Sequence, residues 1–73
     1  MKRKTVKSSN IKSVGYDIRN KILEIEFNNG AVYHYKDVGV ITTLEFIFAE
    51  SLGQHFAKNI KGKYTYVKGE YNG

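Results

Sequence analysis

The chain has 73 residues, a net charge of +5, no cysteine and no proline. That length is one domain, and folding at this size buries only about 60% of the surface the unfolded chain exposes, so the core must be small. The composition excludes a disulfide framework and a thiolate metal site, and no stretch of about 18 apolar residues is present to span a membrane as a helix.

Charge is uneven along the chain. Lys2, Arg3, Lys4, Lys7 and Lys12 face no acid over residues 1–16, residues 17–50 hold six acids against three bases, and residues 51–73 hold four lysines against Glu70. Basic ends attract phosphate polyanions, although lysine is also the ordinary solubilising residue. Residues 1–8 lack periodicity and read as a flexible basic tail. No apolar signal core follows the basic start, so the expected compartment is cytoplasmic, the bacterial host cytosol if the protein is phage-encoded.

The domain is expected over residues 9–68, with 69–73 as a C-terminal tail. "NIKSVGYD" is a short strand in which Gly15 would mark a bulge. Asp17 and Asn20 then supply a turn. "ILEIEF" alternates, with Leu23, Ile25 and Phe27 on one face and Glu24 and Glu26 on a solvated one. "NNG" is a hairpin signal and "AVYHYK" the next strand, completing a three-stranded antiparallel meander. In "DVGVITTLEFIFAE", Ile41, Leu44 and Phe48, with Val40 and Ile47 alongside, form an apolar helix stripe suited to cover the sheet. Asp37 is its expected N-cap. Phe46 falls off the stripe and must bury elsewhere. "SLGQHFAKNIKG" is a second helix, capped by Ser51, with Leu52, Phe56 and Ile60 on one face and Gly62 as its stop. "KYTYVK" alternates again and reads as a short strand. The expected fold is α+β: a three-stranded meander covered on one face by two helices, with a short C-terminal strand.

The hairpin register decides where Tyr33 and Tyr35 point. A two-residue turn at Asn29-Gly30 would place them with the glutamates, free to stack on bases. A three-residue loop with Gly30 left-handed would pair Ile25 with Tyr33 and Leu23 with Tyr35, joining both rings to the apolar face. Burial favours the second register, because the first would put His34 and Lys36 into the core. His34 and His55 are then surface or rim residues.

The order "SSNIKSVGYD", "LEIEF", "GAVYHY" and "AESLGQHFAKNIKGKYTY" resembles the KTSC domain family, named for a C-terminal extension of some bacterial lysyl-tRNA synthetases and found also in small free-standing bacterial and phage proteins. The resemblance covers about residues 8–67. It rests on Ser8 and Ser9, the Gly15-Tyr16 pair, the unit Tyr33-x-Tyr35, and Phe56, Ile60, Gly62 and Tyr64. Gly39 and Thr65 stand where the family tends to have proline, which implies a less pre-organised helix entry at Gly39. RNA binding is the function the resemblance suggests.

Residues 55–69 place four lysines, one histidine and two tyrosines together without an acid. Lysines neutralise phosphates and rings stack on bases. The expected nucleic-acid-binding set is Lys12, Lys58, Lys61, Lys63, Tyr64 and Tyr66. The same lysines would also complement a helix C-terminus. Ser51, Leu52 and Gly53 form a candidate anion site at a helix N-terminus, beside a competing Glu50. No nucleophile elbow, phosphate loop, dinucleotide fingerprint or metal-ligand spacing occurs, so no enzyme activity, cofactor or metal is expected. The expected function is a small basic module binding RNA or tRNA. Two alternatives are a protein-interaction or self-association module and a binder of a small phosphorylated ligand such as a nucleotide.

Overall fold

A computed structural model describes residues 3–69. The residues of the expected tails at 1–2 and 70–73 lie outside the described residues. The chain forms β1 (Arg3–Thr5), β2 (Ile11–Asp17), β3 (Ile22–Phe27), β4 (Val32–Tyr35), α1 (Val40–Ile47), α2 (Leu52–Asn59) and β5 (Tyr66–Lys68). All strands join one antiparallel sheet in the order of the chain, β1-β2-β3-β4-β5.

The α+β class and the β2–β4 meander are as the alternation dictates, but the sheet has five strands. The segment read as a tail contributes β1: Arg3, Lys4 and Thr5 pair with Gly15, Val14 and Ser13. Three charged or polar residues carry no apolar periodicity, so the edge of β2 recruits a strand the pattern alone does not announce. Gly15 pairs regularly with both Arg3 and Glu24, and the irregularity in β2 falls between Ile11 and Ser13 instead.

Between β2 and β3, the Asp17 carboxylate accepts from the backbone N–H of Arg19 and Asn20 and from the Asn20 amide at 2.8 Å. Those bonds, the Asn20 side chain first, hold its carboxyl below the usual range. Between β3 and β4 the three-residue loop is the one formed. Phe27 N–H donates to Ala31 C=O at 2.8 Å, and Gly30 takes a φ of +92°, a region in which a Cβ is strained. Ile25 pairs with Tyr33 and Leu23 with Tyr35. The two tyrosines therefore lie on the apolar face, as the burial argument required, and Tyr35 is only 3% exposed.

The helices cover that face unequally. α2 is capped by Ser51, whose hydroxyl accepts from Gln54 N–H, and it sends Leu52, Phe56 and, just past its end, Ile60 into the core. α1 reverses the expected orientation. Its stripe residues Val40, Ile41, Leu44 and Ile47, and Phe48 after them, face outward, and only Thr43 and Phe46 of the helix are buried. Phe46 does bury, completely. The entry also differs: the N-cap is Gly39, with no side-chain cap, and Asp37 takes a left-handed φ of +59°. The reason lies in Val38. It is fully buried, its N–H donates to Lys21 C=O, and its C=O accepts from the Tyr16 hydroxyl at 2.6 Å. The chain is pinned to the β2–β3 turn there and can begin a helix only afterwards.

Candidate functional site

The aromatic residues of β3, β4, β5 and α2 converge. Phe27, Tyr33, Tyr35, Phe56 and Tyr66 form a continuous cluster with ring centroids 5.3 to 6.1 Å apart. Register brings them together, because Tyr35 lies opposite Tyr66 and Tyr33 opposite Lys68 on β5. Tyr35 and Phe56 are buried, Phe27 and Tyr33 are half-buried, and Tyr66 is 58% exposed. The cluster borders a cleft of about 580 Å³ between α2 and the sheet. Burial, with Tyr33 and Tyr66 close by, pushes the Tyr35 hydroxyl up to about 12, so it stays protonated at neutral pH.

Cations and amides border the aromatic surface. Lys61 lines the cleft, and the Lys68 ammonium lies 5.9 Å from the Tyr33 ring centroid, a cation–π distance. Asn10, Asn28 and Asn29 line the cleft as well. Local bonds orient all three amides. Asn28 donates its NH₂ to Ser9 C=O, which leaves its carbonyl available. Asn29 accepts from Ala31 N–H and Asn10 from the Ser9 hydroxyl through their carbonyls, which leaves both NH₂ groups available. The Asn10 NH₂ lies 3.5 Å from where a Cβ on Gly53 would stand, so glycine there keeps the amide uncovered.

The residues expected to bind nucleic acid are divided by the fold. Lys61 and Tyr66 meet in the cleft. Lys58 and Lys63 are exposed, one in the last turn of α2 and the other beyond it. Tyr64 is half-buried against the core and borders a separate hollow with Glu45, His55 and Asn59. Lys12 stands on the other side of the sheet beside Glu24 and Glu26. In the candidate anion site, the Ser51 hydroxyl caps α2, Leu52 is a core residue, and Gly53 lines the cleft. Sequence reasoning missed Asn10, Asn28 and Asn29 as cleft residues, assigned Tyr33 to the core, and did not single out Lys68, which lies by the Tyr33 ring. The alternation of β4 and β5 carried the signal for Tyr33 and Lys68, but only once their pairing was known.

The opposite face of the sheet corrects two expectations. Glu24 is not solvated but buried, and His34 is not a rim residue but 2% exposed. The His34 Nε2 is hydrogen-bonded to Glu24, whose other oxygen is paired with Arg3 at 3.0 Å. Arg3 also reaches Glu26 at 3.8 Å, and Ser13 donates to the same Glu26 oxygen at 2.9 Å. β1 brings this about by laying Arg3 over both glutamates. Each acidic charge is answered within the cluster, which is how buried charge is tolerated. Among the described residues no group of three or more His, Asp or Glu side chains could hold a metal ion, and no helix is long and apolar enough to cross a membrane.

Fold and cleft together define a small α+β domain with an aromatic-lined cleft between its sheet and its second helix. The KTSC domain family model matches residues 7–64, and the chain belongs to that family. A KTSC domain protein of Yersinia pestis superimposes with a TM-score of 0.89 at 40% identity, over 94% of this chain and 97% of that one. An uncharacterized protein of Stutzerimonas stutzeri is 43% identical over 61 residues, 84% of this chain and 86% of that protein. The lysine–tRNA ligase of Nostoc punctiforme is 41% identical over 56 residues, 77% of this chain but only 10% of the ligase.

Proposed function

We propose that the domain binds single-stranded RNA in the aromatic cleft. One observation carries the reading: an exposed ring, Tyr66, and a half-exposed one, Tyr33, stand in the same cleft as Lys61 and beside Lys68. Bases stack on the rings and the ammonium groups neutralise the phosphates between them. Similarity to a segment of an enzyme whose name places tRNA among its substrates supports RNA over DNA. The free amide ends, two NH₂ groups and one carbonyl, offer both donors and an acceptor to base edges.

Fluorescence anisotropy with short single-stranded RNAs at two salt concentrations tests the proposal. Binding should weaken with salt at about −0.7 per phosphate engaged in a log–log plot. Tyr66→Ala should cost about 1–3 kcal/mol of affinity through lost stacking. Lys61→Ala should flatten the salt slope by about one phosphate. An absence of binding by micromolar protein at low salt overturns the reading. A nucleoside monophosphate that binds as well as the oligomer replaces it with the small phosphorylated ligand.

A further inference from the structure

Five of the seven large exposed apolar side chains among the described residues belong to one short stretch: Val40, Ile41, Leu44, Ile47 and Phe48. Their spacing puts them on one side of α1. Scattered apolar residues on a surface are ordinary, but a contiguous set marks an interaction site. The face lies apart from the aromatic cleft, since none of the five lines it.

The face carries both a protrusion and a recess. Phe48 is 81% exposed, the most exposed large apolar side chain described. Its neighbour Ile47 helps line a mainly apolar hollow of about 260 Å³, together with Lys4, Thr5, Val6, Val14, Gly15, Tyr16 and Leu52. An apolar cavity of about 150 Å³ accepts a benzene molecule, so by volume this hollow has room for a phenyl ring. A ring and a matching hollow side by side on one surface are what a two-fold contact needs, because each copy then supplies the ring that fills the other.

Charge points to the same partner. Two copies of a chain of net charge +5 repel wherever lysines meet. The outward face of α1 holds no lysine or arginine. Glu50 follows Phe48 by two residues and is partnered by no ion pair among the described residues, while Lys4 lines the hollow, so the protruding and recessed parts carry opposite charges. We infer that the α1 face is the interface of a symmetric homodimer, with Phe48 seated in the partner's hollow and a Glu50–Lys4 ion pair at the rim.

An eight-residue helix and a shallow hollow hide less than the roughly 800 Å² per partner of a standard interface, so the dimer should be weak, with a Kd of about micromolar or higher. Sedimentation equilibrium of the full chain from about 1 μM to 1 mM should show a mass rising from monomer to dimer. Phe48→Ser should keep the circular dichroism spectrum of the parent and stay monomeric tenfold or more further up that range. Glu50→Lys and Lys4→Glu should each weaken the dimer, and together restore it. A parent mass that stays monomeric at 1 mM overturns the proposal and leaves the face to a different protein. A dimer that Phe48→Ser leaves intact also overturns it, as does a double exchange that restores nothing.

Discussion

The two helices have the same length and opposite characters. α2 begins at a serine cap, ends with Lys58 in its last turn, buries Leu52 and Phe56, and turns polar side chains outward. α1 has no side-chain cap, no acid in its first turn and no base in its last, and it turns most of its apolar side chains outward. Position against the sheet explains the contrast. The Ser51 cap starts α2 over the rings of β3 and β4, where Phe56 packs edge-on to Phe27 and Tyr35. α1 starts late, after the pinned Val38, and reaches the core mainly through Phe46. An apolar stripe therefore says that a helix has a face to hide, but not that its own domain hides it.

The contrast is broken most forcefully at Phe46. Phe46→Ala should lower unfolding stability by about 3–5 kcal/mol, because it empties a fully enclosed site. Urea titration measures this, and a loss below 1 kcal/mol would mean that α1 is hardly anchored. The next effect is alkaline and belongs to the α2 side. Folding raises the Tyr35 hydroxyl from its ordinary 10 to about 12, so the folded state holds that proton more tightly. The resulting stabilisation is complete below pH 10 and is lost as pH rises through 12. Tyr35→Phe keeps the ring and should remove that component from the pH profile between 10 and 12. Smaller still, Ser51→Ala should cost about 1 kcal/mol or less, since its capping bond is long at 3.4 Å. Phe48→Ser should change the stability of the monomer by no more than about 0.5 kcal/mol in either direction, because its ring touches little. Equal losses from Phe46→Ala and Phe48→Ser would erase the distinction between the inner and outer faces of α1.

Much of the fold was legible where period and register reinforce one another. Glu24 and Glu26 alternating with Leu23, Ile25 and Phe27 defined β3, and the gain from setting Tyr33 and Tyr35 beside those apolar residues chose the hairpin register. β1 was not legible, because Arg3 to Thr5 hold their place by pairing and by Arg3's ion pairs, neither of which leaves a hydrophobic trace. The burial of Glu24 and His34 was hidden for the same reason: it depends on a cation supplied 21 residues earlier than Glu24. Within the cleft, Lys61 and Tyr66 were visible as a basic-aromatic cluster. The three asparagines were not, since turn residues reveal a ligand-facing amide only when a distant helix closes over them.

The order of the strands has a consequence for how the chain assembles. From β1 to β4 each strand pairs with the one made just before it over a short loop, so none of these four waits for a distant partner. Sheets built from such neighbouring pairs close at a low entropic cost and fold quickly for β structure. The longest wait falls between β4 and β5, which are separated by both helices. Until α2 docks and Tyr66 reaches Tyr35, the rings of β4 stand along an open edge, and the ribbon beginning at β1 is the scaffold on which that last edge is closed.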